Sequence, residues 1–447
     1  MRHIVRSSGA LALAVAVLAA ACSPAPGAPS SPASPGATGA PAATAGTGGE
    51  PVEIVYWSHE NEPRNELDRE LIEEFMAANP GIVVSYETFP FEDYETKVFT
   101  ALAGGTGPQL FNLFTSRMAE LVESGAVAPL DPAAMGLADE AAFRDLYVPG
   151  SLDGFSFDGR VYAVPTELSN MALYVNQALL RDAGVDPETE LPGTWEEIRD
   201  VSKRIVRREG DRLVQRGFEF TYGGDIDIPV LAFESMAWQR GAGVLDPETG
   251  EVIIDQPPAV EALRYWYDWV YTDRLGDPAL GETTEAFCEG SVAMTTVAQW
   301  FTAWLEENCP DVAAEVTVAP FPRFADGTRD SGAFIFAYGH LVNAAASAEQ
   351  QQAAWRLAGF LASRPADFLV RAGLLQPRVE LETSGALEQV PFGTLFFEEA
   401  TASPVDQLSF ETWEAVLRAI ERSTQSEVDP AESLAAARAE IEQIVAG

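Results

Sequence analysis

The chain has 447 residues, 47% hydrophobic and 21% charged, and 68 acidic against 28 basic residues give it a formal net charge of −40. That composition is globular rather than disordered, and the length is enough for more than one lobe with a core of its own. So large an excess of acids excludes nucleic acid as a partner, because phosphate binding needs clustered Lys and Arg.

Arg2, His3 and Arg6 form a short positive segment, and a small and apolar run of 13 residues follows from Gly9 to Ala21. A membrane span needs about 20 residues, so the run reads as a signal peptide over 1–21. It ends at Cys22, and the segment resembles a bacterial lipobox, whose cysteine is lipidated after cleavage. Leu18 lies one position further upstream than usual, and an ordinary secretory signal that leaves Cys22 free is the alternative. Ser23 to Gly49 contains only Ser, Pro, Ala, Gly and Thr. Such a stretch cannot bury a core, so 22–51 is expected to be a tether. Cleavage removes two arginines and no acid, taking −40 to −42. An anionic membrane repels such a chain, leaving the lipid as its hold on the bilayer.

Val52 to Trp57 reads as a strand and ends at Ser58-His59-Glu60-Asn61. Leu67, Leu71 and Phe75 repeat at i, i+4 and i+8, which predicts a helix over 66–78, stopped by Asn79-Pro80-Gly81. Strand 82–86, helix 94–102 and strand 110–114 follow, with a Gly-rich break at 104–108. Strand and helix alternating with short connections argue for an α/β lobe with a parallel sheet. Further on, Thr194-Trp195-Glu196-Glu197 is a capping box. Asp429-Pro430 opens the last helix with proline at its first position. Strands are expected at 316–318 and within 333–342, and helices over 260–270 and 349–363. The spacing of Trp266, Tyr267, Trp269 and Tyr271 on one helix favours core packing. Cys288 and Cys309, with 20 residues between them, form either a disulfide of roughly 3 kcal/mol or two buried thiols; export favours the bridge.

These segments, in this order, resemble the family 1 extracellular solute-binding proteins of ABC importers, of the maltose-binding type. The landmarks are Ile54-Val55-Tyr56-Trp57, Phe75-x-x-x-Asn79-Pro80-Gly81, Ala101-Leu102-Ala103-Gly104-Gly105 and Gly125-Ala126-Val127-Ala128-Pro129-Leu130. They continue with Phe157-Asp158-Gly159-Arg160-Val161-Tyr162-Ala163-Val164-Pro165, Leu173-Tyr174-Val175-Asn176, Pro192-Gly193-Thr194-Trp195-Glu196-Glu197, Gly290-Ser291-Val292-Ala293-Met294 and Pro320-Phe321-Pro322. The resemblance runs from Val52 onward. It implies a type II periplasmic-binding-protein clamp, with parallel-rich sheets flanked by helices in two interwoven lobes joined by hinge strands. Lobe 1 is expected to take 52–165 plus 294–334, and lobe 2 to take 166–293 plus 335–447. The implied partners are a small solute, most simply a mono- or oligosaccharide, and an ABC permease. The protein is expected to be a monomer without cofactor or metal.

Sugar recognition needs an aromatic face and planar polar groups. The strand-end positions that supply them are Trp57, His59, Glu60 and Asn61, then Thr115 and Ser116, then Glu167, Ser169 and Asn170. Trp238 matches a family Trp-x-x-Gly-Gly segment, Trp300 follows the Met294 strand, and Gly332 permits close backbone approach. Arg64, Arg117 and Arg378 are the donors available to glycerol phosphate, whereas a polyamine would use acids and aromatics.

A secreted glycosidase working through paired carboxylates is the rival reading, with Glu60 and Glu167 the pair to test. The chain has no G-x-S-x-G elbow, and three histidines leave little for a Ser-His-Asp site, a multi-His zinc site or H-E-x-x-H. Lys97 and Lys203 are the only lysines and neither ends a P-loop.

Overall fold

Val164–Asn176 is a 13-residue strand buried at every position, ~40 Å long at about 3.3 Å per residue. A strand of that length serves two cores. In the computed structural model, which describes residues 50–222, 227–246, 249–279, 283–329 and 332–446 with the Glu92 side chain excepted, it is the spine of the sheet. The leader, the proposed lipidation site Cys22 and the tether up to Gly49 lie outside these residues.

The strands in chain order are β1 (Val52–His59), β2 (Ile82–Phe89), β3 (Leu110–Phe114), β4 (Ser156–Phe157), β5 (Arg160–Val161), β6 (Val164–Asn176), β7 (Arg207–Glu209), β8 (Arg212–Phe218), β9 (Val292–Ala298), β10 (Val316–Ala319) and β11 (Ile335–Val342). The main sheet runs β2-β1-β3-β11-β6-β9-β8-β7, and β10 also pairs with β6. β1 is parallel to β2 and β3, and β8 is parallel to β9, as the strand–helix alternation predicts. The pairings of β6 and β11 are antiparallel. β6 changes partners midway: Val164–Asn170 lies against β11, and Met171–Val175 against β9.

The apolar cores divide at the same point. One core gathers side chains of 54–168, most of 335–387 and 397–405, including Leu168, Ile335, Trp355 and Val405, while Phe336 and Tyr338 on the other face of β11 join the second core. The other takes Met171, Tyr174, Trp195, Trp269, Met294, Phe334, Trp413 and Ile441 among others. The expected partition is therefore corrected. Residues 294–334 belong with lobe 2, because β9 extends the sheet beside β8 and the second half of β6. Most of 335–405 belongs with lobe 1, where the Ala348–Leu361 and Pro365–Ala372 helices pack on the Glu62–Ala78 helix: Phe75 and Phe360 lie 5.5 Å apart, and Arg371 pairs with Glu70 at 2.7 Å. The chain crosses between lobes at 168–171, near 334–335 and at 405–408. The last two crossings are bonded together, Ile335 N–H to Pro404 O at 3.0 Å and Asp406 N–H to Ile335 O at 2.8 Å.

Local signals explain the helix ends. Both bonds of the Thr194–Glu197 capping box form, and a second box joins Ser347 and Gln350. The first helix begins earlier than its apolar stripe, at Glu62, because Asn61 caps it by accepting from Arg64 N–H. Trp266 and Trp269 are fully buried against Phe220, as the helical spacing implies, whereas Tyr267 packs tilted on Tyr271 outside the apolar core. Cys288 and Cys309 are disulfide-bonded.

Candidate binding cleft between the lobes

Three loops converge where the lobes meet. The β1 turn ends at Asn61, whose Oδ1 accepts from Arg64 N–H at 3.2 Å while its own N–H donates to Asn65 Oδ1 at 2.8 Å. Beneath it Arg64, almost fully buried, donates to Ser58 Oγ at 2.7 Å and to the His59 carbonyl at 2.5 Å. The second loop leaves β9 and becomes the Trp300–Asn308 helix. Phe301 anchors that helix in the core against Tyr174 (5.0 Å) and Phe287 (5.7 Å), which leaves Trp300 and Trp304 partly exposed one turn apart. The third follows the Pro365–Ala372 helix, which ends on left-handed Gly373 (φ 68°); the turn carries Leu375 back to β6, where its carbonyl accepts from Leu168 N–H at 2.7 Å.

These loops, with Gln389–Gly393 and Phe396, enclose a cleft of about 640 Å³, within the size range of small-ligand sites. Its lining includes Asn61, Gln299, Thr302, the two tryptophans and an apolar wall of Leu369, Leu374 and Leu375. Glu62, Glu306 and Glu307 add negative charge. Among the described lining residues Arg371 is the single basic one, and Glu70 holds it. Indole faces beside carboxamide, hydroxyl and carboxylate groups can stack on a ring and bond its hydroxyls.

Of the sequence-derived candidates, Asn61 and Trp300 line this cleft. Asn170 lies just behind it, donating through Nδ2 to the carbonyl of the lining residue Phe396 at 3.1 Å. His59 is buried below the β1 turn, with Arg64 Nη1 3.2 Å from Nε2. Burial, with Arg64 adding, pulls its pKa well below the usual range, so the imidazole is neutral. Glu167 is buried on β6 opposite Tyr338, and burial outweighs nearby Arg64 to raise its pKa to about 7.

The remaining candidates sit elsewhere. Glu60 is exposed outside the lining, so Glu60 and Glu167 do not form a carboxylate pair facing the cleft. Trp57 packs beside Phe89 (4.9 Å) under Lys97 of the Phe91–Ala103 helix, outside the cleft lining. Thr115 and Ser116 are buried in the turn after β3, Thr115 accepting from Ala337 N–H. Ser169 is buried on β6. Trp238 is covered by Arg329 at 3.5 Å and meets Phe334 edge-on. Gly332 packs against Glu399 and Ser403, where a Cβ would come within 2.7 Å of Glu399. The arginines offered to an anion are engaged as well, Arg117 with Glu95 (2.9 Å) and Arg378 with Glu380 (3.1 Å). The sequence reading missed Trp304, Gln299 and the 369–375 wall. Trp304 was within reach, since it follows Trp300 at i+4 on a helix.

Among the described residues, two α/β lobes around a ligand-sized cleft, with three crossings of the chain between them, define the type II periplasmic-binding-protein fold. Residues 60–367 match the bacterial extracellular solute-binding protein family, and the chain belongs to it. It is 26% identical over 249 residues to the arabinooligosaccharide-binding protein of Halalkalibacterium halodurans, covering 54% of this chain and 52% of that one. It is 22% identical over 316 residues to the maltotriose-binding protein of Pyrococcus abyssi, covering 70% and 63%. The sn-glycerol-3-phosphate-binding protein UgpB of Shigella flexneri is 26% identical over 273 residues, covering 57% and 58%. The chain thus spans about half to two thirds of the length of these curated relatives. Among solved structures, the GacH receptor of Streptomyces glaucescens superposes with a TM-score of 0.74 at 21% identity, covering 88% of this chain and 98% of that one. Maltose-bound MalE3 of T. maritima gives 0.72 at 23% identity, with coverage of 88% and 100%. Among the described residues no helix is long and apolar enough to cross a membrane.

Proposed function

We propose that this protein is the ligand-capturing component of an ABC importer, taking a neutral mono- or oligosaccharide between its lobes and delivering it to a membrane permease. The observation that carries the reading is the pairing of Trp300 and Trp304, part-exposed on one helix, with the polar side chains of Asn61 and Thr302 in one cleft. Sugar-binding relatives from two organisms support it. A phosphorylated ligand such as glycerol phosphate is the weaker fit, because phosphate calls for unengaged cations and Arg371 is already paired. Glu62, Glu306 and Glu307 favour a polyamine as the second reading. Cys22 would carry the lipid that holds the monomer at the outer face of the membrane, with 23–49 as its tether.

The test is thermal unfolding of the mature chain with maltotriose, an arabino-oligosaccharide, sn-glycerol 3-phosphate and spermidine. A ligand at 100 times its Kd adds about 2.7 kcal/mol of stability. Stabilisation by a saccharide is expected. A rise with spermidine alone would transfer the assignment to polyamines, and hydrolysis of a glycoside would make the protein an enzyme.

A further inference from the structure

β9 ends at Ala298, opposite Met171 on β6, at the point where the cores divide. Beyond it the chain turns into the Trp300–Asn308 helix, and among the described residues no strand of lobe 2 pairs with β6 at 168–170. The Gln299 side chain takes that place. Its Oε1 accepts from Asn170 N–H at 3.1 Å, and its Nε2 donates to the Leu168 carbonyl. One carboxamide, with a donor and an acceptor like a peptide group, thus continues the β9 ladder across the lobe junction.

Gln299 stands at the N-cap position of the tryptophan helix, yet its side chain makes no cap hydrogen bond there. A side chain that forgoes the local bond for one on a distant strand is fixing where the helix starts relative to that strand. Asn170 extends the connection to another part of the cleft lining through its Nδ2 bond to the Phe396 carbonyl, while Leu375 holds Leu168 from the lobe 1 side. Both amide side chains are buried.

We propose that Gln299 is a positioning residue: its carboxamide locks the Trp300–Trp304 wall in register with the hinge strand β6, and Asn170 passes that register to the Phe396 wall. The effect on ligand rests on the binding reading given above; the mechanical link does not. Rotation at 168–171 would then carry the tryptophans with it, so closure presents them to the ligand in one geometry.

Hydrogen–deuterium exchange on the mature chain tests the link with no ligand identified. Gln299→Met keeps the side-chain length and removes both bonds, and Gln299→Glu keeps the acceptor for Asn170 while losing the donor to Leu168. In Gln299→Met, exchange is expected to rise about tenfold both in 166–172 and in 300–306, with 110–114 unchanged. Gln299→Glu, whose carboxylate oxygen would face the buried Leu168 carbonyl, should loosen the same two segments at least as much. Faster exchange at 166–172 with 300–306 unchanged, or a uniform rise across the chain, would overturn the proposal. In the second arm, maltotriose is titrated against wild type and Gln299→Met, with intrinsic fluorescence as the readout. A Kd about tenfold weaker, at a melting temperature close to wild type, is the expected result. Wild type that binds no saccharide would sink the sugar assignment and leave the exchange result to decide the link. An unchanged Kd alongside coupled exchange would reject the ligand-positioning role itself.

Discussion

Trp300 and Trp304 are partly exposed because Phe301, between them, takes the buried side of their helix. Each indole offers a ring face of the kind that gains about 0.5–1.5 kcal/mol on stacking, so Trp300→Ala or Trp304→Ala should each weaken saccharide binding by about tenfold. Isothermal titration would read the loss, and Trp238→Ala, which removes an indole outside the cleft, should leave affinity near wild type. Glu167 gives a separate prediction at this scale. Its folded pKa, about 7, lies above the unfolded value near 4.3, so the folded form holds its proton more tightly. Its contribution to stability is full below about pH 4.3 and is lost as pH rises through about 7. Glu167→Gln cannot ionise, so across pH 5 to 7.5 its melting temperature should fall less than that of wild type, by at least about 2 °C. Parallel curves would mean that Glu167 is not the group that titrates. Neither role shows in the sequence: a glutamate after a hinge strand reads as a ligand contact until β11 lays Tyr338 across from it.

At the scale of elements, most boundaries follow from local chemistry, and the deviations have local causes. β3 occupies 110–114 as read, and Pro192-Gly193-Thr194 starts its helix where the capping box places it. The first helix gains a turn because Asn61 caps ahead of the apolar stripe, and β1 runs on to His59 because Ser58 and His59 still pair with β2. The disulfide joins the last residue of the Thr283–Cys288 helix to Cys309, which follows the tryptophan helix. Closing that loop is worth roughly 3 kcal/mol in the chain-entropy model. The Cys288→Ser/Cys309→Ser double variant should therefore melt at lower temperature by calorimetry. Its exchange should quicken in 300–309 before other segments, since that helix has lost its distal anchor. A variant that melts like wild type would show that packing around Phe301 alone holds the helix.

For the whole molecule, the arrangement that matters is the weave. Lobe 1 is built from chain before β6 and from most of 335–405, lobe 2 from the chain between and from the C-terminal helices, and both share β6. The three crossings lie together at the junction, where a ligand-driven hinge closure would have to act. Small-angle scattering should show a smaller radius of gyration once a stabilising saccharide is added, and an unchanged radius at saturation would argue that the cleft is preformed. The acid excess lies largely on exposed side chains, many of them paired with arginines such as Arg364, Arg371, Arg418 and Arg438. Such exposed pairs contribute little each, so the charge describes the surface more than the site.

The sequence by itself determined the α/β class and the landmarks of its family, because strand period, caps and breakers act over a few neighbouring residues; the two-lobe clamp was implied only by the family those landmarks resemble. It also indicated Asn61 and Trp300, which lie immediately beside such landmarks. Tertiary structure alone decided which lobe owns 294–334 and 335–405, and which strand-end residues meet in the cleft. Those depend on pairing between segments far apart in the chain. β9 with the far half of β6, or Gln299 with Leu168 and Asn170, leaves no periodic trace in either partner.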